Sequence, residues 1–71
     1  MKNFIFVGLN QEQMTDIIGY INGYFAEGMS EEPYESFDNG LYTFGFTLPE
    51  GHPHIGKAFH LVKKYDGTVY D

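Results

Sequence analysis

A chain of 71 residues with no cysteine and a formal net charge of −6 has room for one domain and no disulfide to reinforce it. Ten acidic residues against four lysines and no arginine exclude the ordinary nucleic-acid binder, whose affinity comes from Lys and Arg on phosphates and whose commonest guanine reader is arginine. No run approaches the roughly 18 apolar residues of a membrane span, and the opening Met1-Lys2-Asn3-Phe4-Ile5-Phe6-Val7 is too short for a signal peptide's apolar region and lacks a small-residue cleavage site.

In chain order, residues 3–9 are a β-branched and aromatic run that ends at Gly8 and reads as a short first strand, central and buried on at least one face. Asn10 follows as a helix N-cap, and Gln13, three residues on, completes a capping box. Met14, Ile17, Ile18, Ile21 and Phe25 then recur at spacings of three and four, which predicts one apolar stripe along about four helical turns, with Gly28 as the stop. Gly19 and Gly23 lie inside that helix, each costing about 1 kcal/mol relative to alanine. Two readings offset the cost: the glycines let the helix sit close to its own sheet, or they form a groove, flanked by Tyr20 and Tyr24, that admits a partner's backbone.

Residues 27–39 are the most acidic segment and predict a loop with a short strand over 34–37. Asp38-Asn39-Gly40 between apolar runs is a hairpin signal, because Asn and Gly tolerate the positive φ of a tight primed turn. Over 41–48, Tyr42, Phe44, Phe46 and Leu48 alternate with Thr43, Gly45 and Thr47, so this strand has one large apolar face, to pack under the helices, and one small face. Pro53 suits the start of a second helix carrying Ile55, Ala58, Phe59 and Val62, with Lys63 and Lys64 complementing the dipole at its end. Thr68-Val69-Tyr70 makes a last strand. The competing reading turns residues 57–64 into a strand. The preferred order, strand-helix-strand-strand-helix-strand, is an α+β ferredoxin-like split βαβ sandwich: two helices on a four-stranded antiparallel sheet, one domain over 1–71.

Most chemistries lack their parts. The three histidines are the only metal set in a chain without cysteine, and His54 and His60, six residues apart on a helix, point to different faces, which leaves His52 and His54 with a distant carboxylate. His60 is expected to be half buried. Ser30 and Ser36 lie among carboxylates that oppose an oxyanion, and the glycines do not form a phosphate loop between strand and helix. The paired Glu31 and Glu32 have nothing around them to bury them and raise a pKa. No catalytic set assembles, so the chain reads as a protein without enzymatic activity, cofactor or metal.

Tyr42-Thr43-Phe44-Gly45-Phe46 resembles the aromatic strand of the RNA-recognition motif over about seven residues, which would imply base stacking on an open sheet. Here the aromatics are expected to point inward, the flanking basic residue is missing and the net charge has the wrong sign, so no direct nucleic-acid binding is expected. In size and charge the chain also resembles the small acidic inhibitors of phages and other mobile elements, anti-CRISPR proteins among them. That likeness of composition implies a cytoplasmic inhibitor presenting carboxylates, as a nucleic-acid mimic, to a larger basic protein. Tyr20, Tyr24, Glu27, Glu31, Glu32, Tyr34, Glu35 and Asp38 are the expected contact residues, the tyrosines for area and the carboxylates for orientation and on-rate. The alternative is a homodimeric small-ligand-binding or regulatory domain joined through the small sheet face.

Overall fold

The structure is a computed structural model that describes residues 1–29 and 31–71; Ser30, weighed above as a nucleophile, lies outside the described residues. Strand β1 (Lys2–Leu9) is followed by helix α1 (Gln11–Tyr20), which widens into a π turn (Ile21–Phe25). Then come β2 (Tyr34–Asp38), β3 (Leu41–Leu48), α2 (Ile55–Tyr65) and β4 (Thr68–Tyr70). The sheet runs β2-β3-β1-β4 with every neighbouring pair antiparallel, so β3 lies between the two strands that α1 connects. This is the expected α+β sandwich of two helices and four antiparallel strands, and the competing strand at 57–64 is replaced by α2.

Local signals act as their chemistry dictates. The Asn10 side chain accepts from the Gln13 N–H at 2.8 Å while the Gln13 side chain accepts from the Asn10 N–H at 2.9 Å, closing the capping box. Asn39 and Gly40, at φ 53° and 79°, form the tight turn between β2 and β3. Asp66 ends α2 in the left-handed conformation, and the Gly67 N–H closes back on the Val62 carbonyl at 2.9 Å. Pro53 lies just ahead of α2, with His54 capping it without a side-chain hydrogen bond.

One face of the sheet carries the core. Phe4 and Phe6 from β1 pair in register with Phe46 and Phe44 from β3, and all four are buried. Met14, Ile17, Ile21 and Phe25 close over them from the first helix, and Ala58 and Leu61 from α2. The Phe46 ring is the centre, with centroids of Phe4, Phe25, Phe6 and Phe44 at 5.2, 5.3, 6.0 and 6.2 Å. Gly8 is a bulge in β1, not its end: the register passes from Phe6–Phe44 to Leu9–Tyr42, so two residues of β1 oppose one of β3. The extra residue inverts the alternation, which turns Leu9 into the core and leaves Val7 68% exposed on the opposite face.

Three expectations for the helices are corrected. Ile18 is exposed at the flank of the stripe, because the buried row runs through Met14 and Ile17 to Ile21 and Phe25. A Cβ on Gly19 or Gly23 would meet nothing within 4 Å, so neither glycine brings the helix against its own sheet. His60 is exposed, since the face of α2 turned to the core passes through Ala58 and Leu61.

Candidate functional site

Glu27, Glu31, Glu32, Glu35 and Asp38 are all exposed. Glu27 follows the π turn, Glu31 and Glu32 border a shallow hollow of about 300 Å³ with Ile21, Ala26, Met29 and Pro33, and Glu35 and Asp38 stand on β2, an edge strand. Strand pleating divides this set. Tyr34 pairs with Gly45 and Asp38 with Leu41, on the face free of helices, whereas Glu35 pairs with Phe44 and so stands on the helix-covered side. The acidic residues therefore wrap around the β2 edge instead of forming one flat patch.

The tyrosines divide as well. Tyr20 is partly buried against the core, its ring 5.7 Å from that of Tyr24. Tyr24 belongs with the start of α2: its ring lies 5.3 Å from His54, and the Lys57 ammonium sits 4.4 Å from its centroid in cation–π contact. Tyr34 is 60% exposed on the open face.

Two of the four lysines are paired with other acids. Lys2 holds Asp71, with Glu50 3.8 Å away; the Asp71 hydrogen bond raises the Lys2 pKa and the same bond lowers that of Asp71. Lys64 lies 3.2 Å from Asp16, which also accepts from the Tyr65 hydroxyl. That hydroxyl bond, with Lys64 adding to it, holds the Asp16 carboxyl below its ordinary range, while burial and then the Asp16 bond push Tyr65 up. Among the described residues, none of the five carboxylates at 27, 31, 32, 35 and 38 has an ion-pair partner.

A cleft of about 800 Å³ opens between the π turn and the loop before α2, lined by Asn22, Tyr24, Glu27, His52 and His54 among others. Its inner wall is His52, 5% exposed and the one buried polar residue among those described. The His54 N–H donates to its Nδ1 at 3.1 Å, so Nε2 carries the proton and donates to the Glu27 carbonyl at 2.9 Å. With both nitrogens occupied, His52 ties the end of the first helix to the start of the second. Gly28, at φ 93°, admits it, since a Cβ there would stand 3.2 Å from the imidazole ring. The sequence places His52 only in a loop, and nothing in its spacing says which histidine is buried. Among the described residues no three His, Asp or Glu side chains converge to hold a metal ion, and no helix is long and apolar enough to cross a membrane.

Comparison with known protein families, with curated proteins and with solved structures returns no match for this chain.

Proposed function

We propose that the protein is a small, non-catalytic binding protein that inhibits a larger, basic, nucleic-acid-handling partner in the cytoplasm by setting carboxylates where that partner expects phosphates. The observation that supports this reading is the run of exposed carboxylates from Glu27 to Asp38 without a cation, in a chain whose Lys2 and Lys64 are paired with other acids. Uncompensated charge of one sign at an exposed edge speeds encounter with an opposite surface and orients it. Tyr34, exposed on the β2 edge itself, supplies contact area there, and exposed Tyr24 supplies it at the start of α2. The absence of cysteine suits a reducing compartment.

The test is affinity capture from a lysate of the source cell at about 50 mM and about 500 mM salt, read by mass spectrometry, because exposed charge contacts are screened across that range. The expected result is one basic partner lost at high salt, associating about tenfold more slowly with the Glu31→Lys, Glu32→Lys variant. A partner retained equally by wild type and variant would remove the carboxylates from the mechanism.

A further inference from the structure

The sheet has a second face, and its exposure is unusual for so acidic a chain. Val7, Tyr34, Tyr70 and Leu41 are 68%, 60%, 55% and 47% exposed, and the strand register puts all four on the side away from the helices, around a half-buried Ile5. Its centre is flat: Gly45 has no side chain, and the Ile5 Cδ1 lies over it, 2.8 Å from where a Cβ would stand. Thr47 and Asn3 satisfy one another there at 2.6 Å. Among the described residues, Asp38, at the hairpin end, is the only charged one that the register assigns to this face. Contiguous apolar surface of this kind marks an interaction site.

We propose that this face is the interface of a homodimer, two sheets packed face to face. Charge selects the occupant. Among the described residues no lysine stands on the face to hold a phosphate, a nucleic acid or an anionic lipid surface, and a basic partner finds only Asp38. A second copy brings the same neutral surface, so the copies approach through the one broad region where the net charge of −6 does not oppose them. A two-fold contact needs a self-complementary patch, which a flat sheet with a glycine at its centre provides, and sheets pack in this way about 10 Å apart. Strand spacing of about 4.8 Å and rise of about 3.4 Å per residue, over strands of 8, 5, 8 and 3 residues, give roughly 400 Å² buried per copy. The total of about 800 Å² falls below that of a stable specific interface and in the range of weak, transient ones, so the dimer is half-formed somewhere between about 10 μM and 1 mM.

Sedimentation velocity across that range is the experiment, with side-chain and amide shifts followed by NMR on dilution. The expected result is a monomer–dimer equilibrium that tightens as salt rises, because two acidic chains repel at low ionic strength. Val7→Lys and Leu41→Lys, both at exposed positions, are each expected to weaken it at least tenfold while leaving the circular dichroism spectrum unchanged. A monomer at about 1 mM in high salt overturns the proposal, as does a dimer indifferent to both variants or dilution shifts confined to the helices. The inference is independent of the carboxylate reading, and the two separate cleanly: Glu31→Lys, Glu32→Lys should weaken partner capture without weakening the dimer, and salt should act on the two complexes in opposite directions.

Discussion

The two faces of this sheet are made from the same strands and differ in everything the alternation controls. Phe4, Phe6, Phe44 and Phe46 point one way and are at most 4% exposed; in the same two strands Asn3, Ile5, Thr43, Gly45 and Thr47 point the other way without a ring, and the rings of that face, Tyr34 and Tyr70, stand exposed on the edge strands. On the first face a residue is fixed by neighbours on three sides, and on the second it has neighbours only in its own plane. A substitution on the open face therefore disturbs fewer contacts than one in the core. The Gly8 bulge sharpens the division by moving Leu9 into the core and leaving Val7 outside.

The largest effect should come from the ring at the centre. Phe46→Ala is expected to cost about 3–5 kcal/mol in urea denaturation, a large share of the about 5–15 kcal/mol typical of a domain, so the midpoint should fall far below that of the wild type. Thr47→Ala, its neighbour on the open face, loses one hydrogen bond to Asn3 and should cost only about 1 kcal/mol. Equal losses would mean that the open face is as firmly packed as the core, and the comparison would fail. Gly67→Ala is next in size. Its Cβ would stand 2.6 Å from the Phe6 ring and 3.1 Å from the Ile5 carbonyl, groups that cannot withdraw, and overpacking of this kind costs about 1–3 kcal/mol. At Gly45 the nearest atom is the far end of Ile5, which has solvent to swing into, so Gly45→Ala should cost less in the same assay.

What the sequence discloses follows from how far its signals reach. The bounds of β3, the capping box at Asn10 and Gln13, the Asn39-Gly40 turn and the last strand are each set by neighbours within a few positions, and each is legible. The bulge at Gly8 is not, because a glycine at a strand's end and a glycine inside it look alike until the partner strand fixes the register. The π turn is likewise hidden: Gly19 and Gly23 weaken the α preference without showing that the helix widens over Ile21–Phe25. Of the expected contact residues, all five carboxylates are exposed, yet Tyr34 and Glu35 are adjacent in sequence and opposite in space. His52 is buried by a contact with Glu27 across 25 positions, a distance at which composition and spacing carry no information.

The smallest effect has the opposite sign and bears on the first helix. Gly19 sits in α1 with open space around its missing Cβ, so Gly19→Ala meets no clash and removes the conformational freedom that glycine loses on folding. The expected gain is about 1 kcal/mol, or a rise in Tm of about 4–8 °C for a domain of this size, read by calorimetry. A glycine that costs stability and relieves no internal contact is retained for something outside the folded chain or for nothing. Affinity capture with the stabilised variant decides which: a lost partner would place the Gly19–Gly23 side of the helix in the interface beside the carboxylates, and an unchanged partner would confine recognition to the β2 edge. A loss of stability in Gly19→Ala would instead mean that the free chain already closes this side of α1, and the contrast between a packed and an open surface would then have to be redrawn on the helix layer as well.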